Sequence, residues 1–108
     1  MKIAIVEDNT MLRQNLVQLL GGEGDLDVCG DFGTAEDALS AIMDIRPELM
    51  LFDLVLPGEL DGCDLIRAAK EMLPELEVLV HTVFDARDKV FEAIKAGAAG
   101  YILKGASP

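Results

Sequence analysis

The amino-acid sequence predicts an α/β domain in which a mainly parallel sheet is covered by helices. Two patterns alternate along its 108 residues: short apolar runs, and longer segments whose apolar residues recur every three or four positions. This alternation is typical of β-α-β units, in which helices join parallel strands. The length suits one hydrophobic core and is too short for two, so we predict a single domain over residues 1–108.

Five short apolar runs predict the strands. Several are continuously apolar, which favours strands that are covered on both faces. The runs are Ile3 to Val6, Val28 to Phe32, Leu49 to Phe52, Val78 to Val80 and Tyr101 to Leu103. Because crossovers between parallel strands are right-handed, few topologies remain, and the doubly wound, flavodoxin-like order 2-1-3-4-5 is the commonest at this length.

Four apolar stripes predict the helices between these strands. They are Leu12, Leu16, Leu19 and Leu20; Ala35, Ala38, Leu39 and Ile42; Leu65, Ile66, Ala69 and Leu73; and Val90, Phe91, Ile94 and Ala98. Asn9, Thr34 (with Asp37) and Asp85 (with Asp88) are suited to begin the first, second and fourth helices. Ser107-Pro108 resembles the start of a fifth helix, so we expect that helix to be truncated here, with a native short form as the alternative.

The composition of the chain disfavours several classes of function. Twenty acidic and nine basic residues give a net charge of -11, which disfavours binding to nucleic acid by this chain alone. No apolar run approaches the roughly 20 residues of a membrane span, and the acidic start of the chain is unlike a secretory signal. The sequence therefore predicts a cytoplasmic protein, with Cys29 and Cys63 as reduced thiols.

Chemically active side chains follow four of the predicted strands. Glu7 and Asp8 follow the first, Asp53 the third, Thr82 ends the fourth and Lys104 follows the fifth. Because the carboxyl ends of parallel strands meet at one edge, we expect these residues to converge there. Crowded carboxylates without His or Cys ligands favour Mg²⁺, which would also support phosphoryl transfer to a carboxylate.

These residues also carry a resemblance to a known family. Glu7-Asp8, residues 53–57 leading to Asp61-Gly62, Thr82, and residues 101–104 resemble the receiver domain of two-component response regulators, which has the CheY-like fold. The stretch from residue 96 to residue 108 is similar to the NarL/FixJ subgroup, whose receivers precede a helix-turn-helix DNA-binding domain. The resemblance covers essentially the whole chain.

The resemblance implies a role for each site residue. Asp53 would accept a phosphoryl group from a sensor histidine kinase. Mg²⁺ would be held by Asp8, Asp53 and the main-chain carbonyl of Val55, with Glu7 acting through a water; Thr82, Lys104 and Tyr101 would bind phosphate or respond to it. The chain would be no enzyme beyond its own phosphorylation and dephosphorylation. A homodimer on phosphorylation and DNA contact through the missing output domain are further implications.

The chain departs from the family pattern at two places. Residues 58–61 form a loop with one residue more than usual, and Val83 stands where many members have a small residue. One alternative is a stand-alone or degenerate receiver that binds partners without phosphorylation. Another is an enzyme of the same topology, but a flavodoxin needs a phosphate loop after the first strand. A dehalogenase-like phosphatase needs its nucleophile there as well, whereas Asp53 follows the third strand.

Overall fold

A computed structural model describes residues 1–22, 24–53, 62–82 and 100–103. Side chains are described for these ranges except at residues 53, 62, 81, 82 and 100–103, where only the backbone is. The predicted fourth helix with its cap pair Asp85 and Asp88, the loop of residues 58–61, Val55, Val83, Lys104 and Ser107-Pro108 all lie outside the described residues.

The described elements follow the predicted alternation. In chain order they are β1 (Lys2–Val6), α1 (Thr10–Gly21), β2 (Asp27–Phe32), α2 (Ala35–Ile45), β3 (Leu49–Asp53), α3 (Gly62–Met72), β4 (Glu77–Thr82) and β5 (Gly100–Leu103). Each predicted strand is present, and the observed strands extend the predicted ones by up to three residues. Within these ranges, no helix is long and apolar enough to cross a membrane.

The sheet confirms the predicted topology. Its described strands run parallel in the order β2-β1-β3-β4-β5. The chain first moves from β1 to β2 at one side and then returns past β1 to β3 and β4. Since such crossovers are right-handed, α1 lies on one face of the sheet, and α2 and α3 lie on the other. We call these the α1 face and the α2–α3 face.

Predicted caps begin both N-terminal helices. The amide of Leu12 donates to Asn9 Oδ1 at 3.0 Å, and the amide of Asp37 donates to Thr34 Oγ1 at 3.1 Å. Both capping residues have extended backbone, which turns the chain from the preceding strand into the helix. Gly22 caps the C-terminal end of α1, and its amide donates to Gln18 O at 3.2 Å.

The main core fills the α2–α3 face. Strand residues that point to this face pack against the apolar sides of both helices. Its fully or almost fully buried members are Val6, Met50, Phe52, Val78 and Val80 from the sheet, Ala35, Ala38 and Ile42 from α2, and Cys63, Leu65, Ile66 and Ala69 from α3, with Leu76 before β4. The predicted stripes of α2 and α3 are therefore confirmed, with Leu39 and Leu73 partly buried at their margins. Cys29 and Cys63 are thiols.

The predicted stripe of α1 is wrong at Leu19, whose exposed fraction is 67%. Leu12, Leu16 and Leu20 are half-buried as predicted, but Arg13 and Val17 share the inward side. The helix is therefore rotated toward Arg13, which makes polar contacts with the ends of β1 and β2. That rotation moves Leu19 into solvent.

Candidate functional site

The register of the sheet brings the predicted site residues to one edge. Val6 is level with Phe52 in the neighbouring strand, so Glu7 and Asp53 follow at the same level. Asp53 is in turn level with His81, and Thr82 with Leu103, the residue before Lys104. The backbone thus places Glu7, Asp8, Asp53 and Thr82 together at the carboxyl edge, as the sequence predicted.

Tyr101 lies further from this edge. It is level with Val80, two residues before Thr82 on β4. A residue at this position is a strand neighbour of the candidate site and not part of its rim. Val55 and Lys104 lie outside the described residues, so the contacts expected of them stay predictions.

Glu7 is the one charged or polar residue in the buried set of the described chain, with 1% of its surface exposed. Its amide donates to Phe32 O at 2.9 Å, which extends the pairing of β1 with β2 by one residue. Its carboxylate Oε2 accepts from the amide of Asn9 at 3.0 Å. A buried carboxylate requires such compensation, because its charge is costly to remove from water.

Asp8 is exposed and adjoins this buried carboxylate. Residues 7–9 form a tight connection between β1 and α1, which we call the acidic turn. It offers carboxylate oxygens at two depths, one inside the sheet edge and one facing solvent. Hard oxygen donors of this kind fit Mg²⁺, which prefers few protein carboxylates and retains several waters.

Asp53 would have to complete this donor set. The structure does not describe the side chain of Asp53. Among the side chains that it does describe, no group of three or more His, Cys, Asp and Glu residues could hold a metal. Backbone register supports the fit, because Asp53 directly follows the strand pair Val6 and Phe52 next to the acidic turn.

Sequence reasoning missed the residue that ties this site to β2. Arg13 donates from Nη1 to Glu7 O at 2.7 Å and from Nε to Asp31 Oδ1 at 3.1 Å. The available signal was a basic residue at the edge of the apolar stripe of α1, in a chain with few basic residues. The leucine pattern alone concealed its inward position.

Comparison with known proteins agrees with this arrangement. The profile of the response regulator receiver domain matches residues 3–108. The chain is 34% identical over 103 residues to the DNA-binding transcriptional activator DevR/DosR of Mycobacterium tuberculosis, covering 95% of this chain and 47% of that protein. It therefore spans about half the length of this relative.

Solved structures show the same fold. The signal receiver domain of the response regulator NarL from M. tuberculosis superposes with a TM-score of 0.89 at 27% identity, covering 98% of this chain and 85% of the other. A DNA-binding response regulator of the LuxR family from Staphylococcus aureus gives 0.88 at 27% identity, covering 98% and 88%.

The chain belongs to the response regulator receiver domain family, the phosphorylation-dependent switches of two-component systems. Its relatives are LuxR-family regulators of the NarL type, which confirms the predicted subgroup.

Proposed function

We propose that Asp53 takes a phosphoryl group from a sensor histidine kinase and that the domain then changes its surface for an output partner. The observation that carries this proposal is the sheet register, which sets the end of β3 beside the acidic turn and the end of β4. The backbone positions of Glu7, Asp8, Asp53 and Thr82 at one edge support a site with an acceptor carboxylate, further acidic oxygens and a hydroxyl. These groups are what phosphoryl transfer to a carboxylate requires.

Each site residue has a proposed role. Asp8, Asp53 and the Val55 carbonyl would hold Mg²⁺ with Glu7 acting through water, while Thr82 and Lys104 would contact the phosphoryl oxygens and Tyr101 would follow the change. When bound, Mg²⁺ would neutralise charge on the transferring group. An oxygen of Asp53 attacks phosphorus, the bond from phosphorus to the donor nitrogen breaks, and that nitrogen leaves with the electron pair.

We further propose that the chain is the receiver part of a cytoplasmic transcription regulator. Support comes from DevR/DosR, a DNA-binding activator about twice as long as the region matched. In that arrangement the chain acts on no other substrate, catalyses only its own phosphorylation and dephosphorylation, and reaches DNA through an output domain. Phosphorylation would also favour a homodimer.

The test is phosphorylation by a small donor. The purified domain is incubated with Mg²⁺ and acetyl phosphate, and its intact mass is measured beside Asp53→Asn. We expect a phosphate-sized mass gain in the parent only, and its loss when EDTA removes the metal. Asp27→Asn is the matched control, because this exposed Asp begins β2 at the opposite edge of the sheet.

A degenerate receiver is distinguished by the same measurement. A folded parent that binds Mg²⁺ but gains no mass would contradict the switch and favour binding to partners without phosphorylation. Equal mass gain in Asp53→Asn would instead contradict the assignment of the acceptor.

A further inference from the structure

We propose that Arg13 is a positioning residue that holds the acidic turn in its cation-binding conformation and so sets the affinity of the domain for Mg²⁺. The inference rests on the proposed function, since it concerns the metal site at Glu7 and Asp8. It adds a residue from α1 whose described polar contacts are with the carbonyl oxygen of Glu7 and the side chain of Asp31.

Arg13 contacts the backbone of the turn and a side chain of β2. Its Nη1 donates to the carbonyl oxygen of Glu7, the atom that leads into Asp8, at 2.7 Å. Its Nε is held by Asp31 at the end of β2, at 3.1 Å. The guanidinium therefore links two strand ends through one planar group, which is how arginine fixes geometry better than lysine does.

The other side of the turn is fixed independently. The amide of Glu7 donates to Phe32 O at 2.9 Å, and the amide of Asn9 donates to the Glu7 carboxylate at 3.0 Å. Arg13 thus holds the peptide that joins Glu7 to Asp8 at its carbonyl oxygen, and the peptides before and after it are each held through their amides. Outer contacts of this kind orient metal ligands, and their loss typically weakens metal binding by about 10- to 100-fold.

The charge of Arg13 means that positioning and electrostatics predict opposite changes in Mg²⁺ affinity when Arg13 is removed. A cation next to a metal site repels the metal, so removing it would by electrostatics alone tighten Mg²⁺ binding. Asp31 compensates part of that charge, and both side chains of the pair reach solvent, with exposed fractions of 19% and 44%. If positioning dominates, removing Arg13 weakens binding despite the loss of a positive charge.

Gly33 provides a second way to disturb the contact. A Cβ atom at Gly33 would lie 2.9 Å from Arg13 Nη1, which is too close. The clashing atom is the far end of a flexible side chain, so Gly33→Ala should displace the guanidinium at little cost in stability. This variant retains the positive charge of Arg13 and changes only the position of its guanidinium.

The experiment is calorimetric titration of the purified domain with Mg²⁺ at fixed ionic strength. We expect Arg13→Met to raise the Kd for Mg²⁺ about tenfold, and Gly33→Ala to raise it in the same direction with a melting temperature in EDTA close to that of the parent. The double variant should match Arg13→Met alone, because both changes remove one contact. All titrations are made below the melting transition of every variant.

Arg67→Met is the matched control. Arg67 is an exposed residue of α3, 3.9 Å from Asp64, and its loss changes the net charge equally. Three outcomes would each overturn the proposal. The Kd for Mg²⁺ could be unchanged or lower in Arg13→Met, Arg67→Met could weaken Mg²⁺ binding equally, or the double variant could bind Mg²⁺ more weakly than Arg13→Met. A parent that binds no Mg²⁺ would remove the proposed metal site itself, whereas a binding parent with an unaffected Arg13→Met rejects the role of Arg13 alone.

Discussion

The two faces of the sheet are held by different forces. On the α2–α3 face, both helices bury apolar side chains against the sheet, and Ala35, Ile42, Leu65 and Ile66 have no exposed surface. On the α1 face, none of the twelve residues of α1 is buried. Met11 and Leu19 are exposed by 74% and 67%.

Polar contacts add to apolar burial on the α1 face, where Ile3, Ile5 and Leu51 of the sheet are buried but no residue of α1 is. Asn9 caps the start of α1, and Arg13 ties its first turns to Glu7 and Asp31. Apolar burial is non-directional, whereas hydrogen bonds fix distance and angle. The helix beside the acidic turn is thus located by directional contacts at the end where position matters for the site, while the helices of the opposite face are held by buried apolar residues.

Truncation of a core residue on the α2–α3 face should have the largest effect. Ile66 on α3 is fully buried within the main core, so Ile66→Ala removes apolar contacts and leaves a cavity. We expect the free energy of unfolding, measured by urea denaturation, to fall by about 2–5 kcal/mol. Ile66→Val is the milder control, with an expected loss of about 0.5–1.5 kcal/mol.

The equivalent truncation on the α1 face should cost less. Leu16 points inward but is only half-buried. Because full burial of a leucine contributes about 1.5–3 kcal/mol, we expect Leu16→Ala to lower the free energy of unfolding by about 1 kcal/mol. Leu19→Ala, at an exposed position of the same helix, should change it by less than about 0.5 kcal/mol. A loss at Leu16 as large as that at Ile66 would contradict the contrast between the faces.

The same contrast explains how far the sequence predicted the structure. Strand order and the stripes of α2 and α3 were predictable, because burial on both sides of a parallel sheet leaves a strong apolar pattern. The orientation of α1 was not, because it depends on Arg13 reaching two strand ends that are close only in the folded chain. A pattern of leucines carries no information about that contact, and so Leu19 was misplaced.

The candidate site was predictable in part for a similar reason. Glu7, Asp8, Asp53 and Thr82 each follow or end a strand, so parallel topology alone brings them to one edge. The support beneath them was not predictable, because Asp31 and Gly33 gain their roles only from the position of the Arg13 guanidinium. Alone in the sequence, each is an ordinary loop or strand-end residue.

The cap of α1 offers a smaller test of the polar side of the comparison. Asn9 Oδ1 accepts from the Leu12 amide at 3.0 Å, so Asn9→Ala should lower the free energy of unfolding by about 1 kcal/mol. Asn15→Ala is the matched control. Asn15 is exposed inside α1, where alanine has the higher helix propensity, so this change should be neutral or stabilising. Equal losses at both positions would show that the cap does not anchor the helix.

The smallest effect is expected from Cys29, which lies on β2 outside the main core. Burial raises the pKa of this thiol above its ordinary value of 9.0, and a nearby Lys2 opposes the rise. Its Sγ donates to Ile3 O at 3.4 Å, a bond that the thiolate cannot donate. A thiol that ionises at higher pH in the folded state than in the unfolded state stabilises the fold below pH 9.0. This contribution is lost as pH rises through the higher folded pKa.

Native Cys29 should therefore react with iodoacetamide at pH 9 more slowly than the same thiol in urea-unfolded protein. Its modification can be followed separately from that of Cys63 by peptide mass. Equal rates in the folded and unfolded states would mean that β2 provides no desolvated environment at this position.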